Sequence, residues 1–412
     1  MQNYFNPDTS LKEDAQRDNK VFLEKPFCAD ISFRTFWIAG FECSDLMNAS
    51  NHRVDLLKMT GHLKLLSEDY SRISSVGIKT VREGIRWSVV EYMPYQYDFS
   101  VVLEMMSAGK DGDIQQIWDI CHFGFPADLT PFHPEFRLRF VSLCKAFVSF
   151  YMLHYPGELL YVTPINEVSF LSWLGGEAAG TVPYCRKKGW EVKYALMSAY
   201  IAGVKAMKEL SSMVRVVTTE PLVNMVPGLE PTAEDYAEAA AQNEQQFQFV
   251  DMLCGRLCPE LGGNADLVDV IGYNFYYNNQ WIIGGHEFLG WNDPVPDSRW
   301  LPLSDLLESA YKRYGKPIML SETSHPKEDR PLWIAMVANE CAKVIDRHVP
   351  LVGICLYPII DRPDWDYPEV WHHSGLWDND ASTGSSRVLH QQSAAALLKG
   401  QQLIAGHMKL SE

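Results

Sequence analysis

A short, apolar, β-prone run followed by a longer stretch with apolar residues at helical spacing recurs along most of this chain. The short runs occupy residues 34–40, 78–85, 114–121, 159–165, 214–219, 268–273, 317–321 and 352–357. Helical periodicity is plainest over residues 136–154, 191–210, 233–257 and 332–347. Strands that alternate with helices pair in parallel, because each helix carries the chain back to the starting edge. Eight such units over about 330 residues predict a (β/α)8 TIM barrel, an α/β fold. The barrel is expected to be a single domain over residues 31–412, preceded by a polar arm over residues 1–30. An open doubly wound sheet is the alternative, but its usual G-x-G-x-x-G turn is absent from the sequence. Residues 282–300, rich in Gly, Pro and Trp, interrupt the repeat and are expected to form a long loop walling a cleft.

The net charge of −16 argues against a nucleic-acid groove or an anionic membrane surface as partner, and fits a small neutral or cationic substrate. The nine cysteines are scattered and odd in number, which suits a reducing compartment better than a disulfide framework. Cys254 and Cys258 have the spacing of one helix face but lack a third and fourth ligand, so they are expected to pack rather than bind zinc. The same holds for His372 and His373, which follow Trp371 and are read as loop structure. Residues 1–20 are polar and lack the apolar core of a secretory signal. No apolar run approaches the ~18 residues of a membrane helix. The expectation is a cytoplasmic protein with no metal and no organic cofactor. Oligomeric state leaves no mark in the sequence.

In a barrel of this kind the active site is built at the carboxyl ends of the strands. Polar residues gather there in turn: Glu42, Arg82, His122, Asn166 with Glu167, Glu220, Asn274 with Tyr276, Glu322, and Asp361, Asp364 and Trp365. Glu167 and Glu322 end the fourth and seventh strands. One carboxyl to protonate a leaving group and a second to attack the anomeric carbon are what a retaining glycosidase requires.

The ordered motifs resemble those of glycoside hydrolase family 1, the β-glucosidase family. Its G-x-x-x-x-R-F-S-I-S-W is similar to Gly77-Ile78-Lys79-Thr80-Val81-Arg82-Glu83-Gly84-Ile85-Arg86-Trp87. Its H-W-D-L-P resembles His122-Phe123-Gly124-Phe125-Pro126, and its T-x-N-E-P resembles Thr163-Pro164-Ile165-Asn166-Glu167-Val168 with one extra residue. Gly272-Tyr273-Asn274-Phe275-Tyr276 is similar to G-x-N-Y-Y, and Ser321-Glu322-Thr323 to the nucleophile motif T-E-N. Residues 357–365 resemble W-S-L-L-D-N-F-E-W, and Ser374-Gly375-Leu376 the later F-G-L. The resemblance runs in order from about residue 34 to 380.

The resemblance implies roles. Glu167 would be the general acid/base, with its pKa raised by the neighbouring carboxylate. Glu322 would be the nucleophile, paired with Arg82 and oriented by the Tyr276 hydroxyl. Asn166 would bind the sugar 2-hydroxyl, His122 and Asp364 other ring hydroxyls, and Trp365 and Tyr357 would stack on the sugar's apolar face. The two carboxyl groups should then lie about 5–5.5 Å apart. Glu42 falls near the family's sugar-binding glutamine. Glu220 has no counterpart, and could bind substrate, pair with a cation or cap a helix. Departures at Phe123, Gly124, Val168, Tyr357 and Asp364 remove sugar contacts, so the sugar need not be glucose. No lysine or arginine lies in residues 366–374, and Asp364 would repel a phosphate, which speaks against 6-phosphorylated substrates. The implied activity is a retaining β-glycosidase. A transglycosylase using the same covalent intermediate, and a non-catalytic carbohydrate-binding barrel, are the alternatives.

Overall fold

A computed structural model describes residues 31–285, 287–380 and 386–411, so the polar arm expected over 1–30 lies outside the described residues. The barrel strands are β1 Trp37–Gly40, β2 Thr80–Gly84, β3 Gln115–Cys121, β4 Leu160–Ile165, β5 Val214–Val216, β6 Ile271–Asn274, β7 Ile318–Thr323 and β8 Leu351–Leu356. All pair in parallel: β1 with β2 and β8, then β2–β3, β3–β4, β4–β5, β6–β7 and β7–β8. The fifth strand is interrupted. Its first part pairs with β4, while its continuation Glu220–Pro221 pairs with β6 beside a Val217–Val270 bridge, and this closes the ring. The expected (β/α)8 architecture is therefore present.

Strands β1, β2, β4, β6 and β7 are covered on both faces and buried at every position. The two-residue period still sorts side chains. On β2, Arg82 points into the barrel toward β3, β4 and β7, whereas its neighbour Glu83 points outward to His62 and Tyr70.

The outer layer is formed by α1 Leu66–Ser75, α2 Ser100–Asp111, α3 Phe136–His154, α4 Val168–Gly176, α5 Gly189–Leu210, α6 Ala233–Gln245, α7 Gln248–Leu253, α8 Leu303–Tyr314, α9 Arg330–Asp346 and α10 Gln391–Ser411. The single helix expected over 233–257 is two. The Thr232–Asp235 capping box starts α6, which buries only Ala239, whereas α7 buries Phe249, Val250, Met252 and Leu253 before Gly255 turns left-handed. The apolar face thus restarts at a different angle, and Cys254 and Cys258 do not share a helix face. In the loop after β6, Gln280–Ile282 pairs with Asn224–Val226 from the loop after β5, and Trp291 donates to His325 beyond β7 (3.1 Å). No described helix is long and apolar enough to cross a membrane.

Candidate active site

Arg82 organises the carboxyl ends of four strands. It is fully buried, and its Nη1 donates to Glu322 Oε1 (2.9 Å) and to the Ser321 carbonyl (2.8 Å). Its Nη2 donates to Asp119 Oδ2 (2.7 Å) and Asn166 Oδ1 (3.1 Å). A planar fork is the one side-chain geometry that serves four acceptors on three strands at once. Glu322 is 3% exposed, and its other oxygen accepts the Tyr276 hydroxyl at 2.7 Å. Burial and the charge of Glu322 push the Tyr276 pKa well up, so this phenol stays a donor.

Glu167 occupies the turn from β4 into α4 in a left-handed conformation (φ 43°), with its amide bonded to the Thr219 carbonyl at 3.0 Å. A non-glycine residue held there stores ~1–3 kcal/mol, a strain that clusters at functional sites. Its half-buried carboxyl accepts from Asn274 Nδ2 (2.9 Å), and Asn274 Oδ1 in turn accepts from Ser321 Oγ (2.6 Å). Glu167 is therefore linked to β7 one residue before Glu322. Burial first, and then the Glu322 charge, hold its pKa well above the ordinary carboxyl range, against the Asn274 hydrogen bond. Asn166 accepts Thr219 Oγ1 (2.6 Å) as well as Arg82, so its Nδ2 faces His122 Nε2 at 3.1 Å. That contact fits a neutral ring donating from Nδ1 to Asp119 (2.8 Å), although Asp119 and Glu42 raise the His122 pKa against its burial. A protonated Nε2 could not accept the Asn166 amide.

No family model matches the sequence, and no curated protein matches it. Solved structures do. A β-glucosidase from Thermotoga maritima in complex with glucoimidazole superposes with a TM-score of 0.71 at 14% identity, over 91% of this chain and 99% of that one. An AHE enzyme from Alicyclobacillus herbarius gives 0.69 at 14% identity, over 93% and 100%. This chain has the fold of the family 1 β-glucosidases.

The structure brings Glu42, Arg82, His122, Asn166, Glu167, Tyr276 and Glu322 together. Glu42 Oε1 accepts from the Ser44 amide (3.1 Å) and hydroxyl (2.6 Å) and lies 3.6 Å from His122 Nε2. Despite burial, Arg362 and His122 lower its pKa. Tyr357 and Asp364 sit otherwise than expected, and Glu220 takes the helix-capping role, one of the three left open. Tyr357 is 2% exposed, with its ring parallel to His122 (3°, centroids 5.6 Å apart) and under the Arg82 guanidinium (4.9 Å). It is a packed wall rather than an open platform, because the buried cation claims its face. Asp364 spends its oxygens on its own loop, accepting the Asp366 (2.9 Å) and Tyr367 (3.1 Å) amides and facing His372 Nε2 (3.0 Å). Glu220 is fully buried and caps α4, with both oxygens on the Ser169 amide (3.2 and 3.3 Å). Burial pushes its pKa up to about 7 despite that bond and the nearby Lys193. Trp365 is half-buried against Phe123, Phe170 and Arg362, and the Asn48 amide donates to its carbonyl at 2.9 Å.

One site residue was missed: Asp119, which carries both Arg82 and His122. Asn274, placed at its strand end without a role, holds Glu167. For Asp119 a signal existed: a charge inside an apolar strand, three residues before His122.

Proposed function

We propose that the chain is a retaining β-glycosidase that acts on a small glycoside. One observation carries this reading: two glutamates at the carboxyl ends of β4 and β7 have opposite surroundings. Glu322 is pinned by a buried guanidinium and a phenol, whereas burial and Glu322 itself raise the Glu167 pKa. The likeness to β-glucosidase structures supports the same assignment.

In this mechanism Glu167 donates its proton to the glycosidic oxygen while Glu322 attacks the anomeric carbon, forming a glycosyl ester. The ester removes the Glu322 charge, which lowers the Glu167 pKa and lets it act as base toward water. A second inversion releases the sugar with net retention. Arg82 and Tyr276 hold the nucleophile so that little reorganisation is needed. A sugar acceptor in place of water would give transglycosylation from the same ester.

The test is a panel of aryl β-glycosides (glucoside, galactoside, mannoside, fucoside, xyloside) with the product anomer followed by NMR. Glu322→Ala should cut turnover by several orders of magnitude, and azide should partly restore it with the opposite anomer as product. Normal turnover by that variant, or an inverted product from the wild type, overturns the assignment.

A further inference from the structure

The loop after β8 meets the hairpin formed by β9 Trp377–Asp380 and β10 Ser386–Leu389, with an Ile360–Trp377 bridge between them. Asp361, His373 and Asp378 converge there, and one donor atom from each lies within 4.8 Å of the others. We propose that these three side chains form a divalent-cation site, best suited to zinc, that ties the loop after β8 to the hairpin.

The fully buried Asp361 carboxylate carries the argument. Its Oδ1 accepts the Ser374 amide at 3.1 Å, whereas Oδ2 has no hydrogen-bond partner among the described residues. A buried carboxylate oxygen without a donor is costly unless a cation serves it. That oxygen lies 3.7 Å from His373 Nδ1, and Asp378 Oδ1 lies 3.6 Å from the same nitrogen. Both separations are too long for a hydrogen bond. They are close to the ~3.3–3.6 Å edge of a tetrahedron whose metal–ligand bonds are ~2.0–2.2 Å.

The surroundings orient the donors as the outer partners of metal ligands do. Arg330 Nη1 donates to Asp378 Oδ1 (2.8 Å) and to the Gly375 carbonyl (2.9 Å), and the Ser374 amide fixes Asp361. Two carboxylates against one guanidinium leave one negative charge for the ion. His373 is 51% exposed, so water can complete the shell. One imidazole with two carboxylates favours zinc over calcium or magnesium, which prefer oxygen alone. The site is separate from Glu167 and Glu322, and the proposal stands whether or not the chain is a glycosidase. The loop it would brace carries Arg362, Asp364 and Trp365.

The experiment uses the full chain after dialysis against a chelator, titrated with Zn2+ and separately with Co2+. The expected result is one ion per chain, a melting temperature raised by several degrees, and a cobalt spectrum without a thiolate charge-transfer band. His373→Ala, at a half-exposed position, should weaken binding at least tenfold and abolish the shift, as should Asp361→Asn. Absence of uptake by the wild type, unchanged affinity in His373→Ala, or a thiolate band placing the ion on cysteines would each overturn the proposal.

Discussion

Replacing Arg82 is the most demanding test of the site's electrostatic design. Arg82→Met keeps much of the volume but leaves Asp119 and Glu322 buried without their cation, where they stood 2.7 and 2.9 Å from it. Removing one partner of a buried pair costs ~3–5 kcal/mol. Two pairs that share one cation do not add fully, so the loss should be about 4–8 kcal/mol, much of the ~5–15 kcal/mol that holds a domain folded. Arg82→Lys restores the charge but not the fork. A single ammonium cannot serve Glu322, Ser321, Asp119 and Asn166 together, and at least two bonds worth ~1.5–3 kcal/mol each should go. The expected outcome for the lysine variant is an unfolding free energy, from urea titration, lowered by about 3–6 kcal/mol. On an aryl β-glycoside its kcat/KM should fall ~100- to 1000-fold, because each tenfold in rate is 1.36 kcal/mol. Stability lost with kcat/KM retained would make Arg82 a purely structural residue. Arg82→Met within 1 kcal/mol of wild type and fully active would refute the argument that these carboxylates depend on it.

Asn274→Ala removes the hydrogen bond that opposes the raised Glu167 pKa, so the alkaline limb of the kcat/KM profile should move to higher pH while its height falls; an unmoved limb contradicts Glu167 as the acid. His62, buried between Asp69 and Glu83, has its pKa raised to about 9 by those carboxylates against its burial. The folded value exceeds the unfolded 6.5, so this stabilisation is full below pH 6.5 and disappears as pH rises through 9. It amounts to about 3 kcal/mol at most, and melting curves of wild type and His62→Asn between pH 6 and 10 should converge on the alkaline side. Glu220 has the same sign at lower pH: burial raises its pKa from 4.5 to about 7, so stability falls as pH rises between those values. Glu220→Gln should match or exceed wild-type stability at pH 8, while a marked loss there would show that the charged cap is needed.

Much of the site was legible because barrel topology is a local rule repeated. Each strand delivers its last residue to the same rim, so Arg82, His122, Glu167 and Glu322 could be assigned to one mouth from their positions alone. Helix α3 runs over Phe136–His154 as its periodicity predicts. The limits were equally physical. The 233–257 pattern hid a break, because apolar spacing does not reveal a change of axis. The fifth strand's interruption was invisible, because Val214–Thr219 reads as one apolar run. Gly124, in place of the family's aspartate, is explained only in space: a β-carbon there would lie 2.1 Å from Asp45 Oδ1.

By itself the sequence determined the period of the fold and the end of each strand at which polar residues appear, since both follow from geometry within a few neighbouring residues. Only the closed barrel decided which of those residues share a partner. Arg82 and Glu322 are 240 positions apart, and their contact depends on strand register accumulated around the ring. The same closure turned Tyr357 inward beneath the guanidinium, set Asn274 against Glu167, and gathered Asp361, His373 and Asp378 at one edge. Such meetings are set by the summed packing of every element between them, which no local pattern encodes.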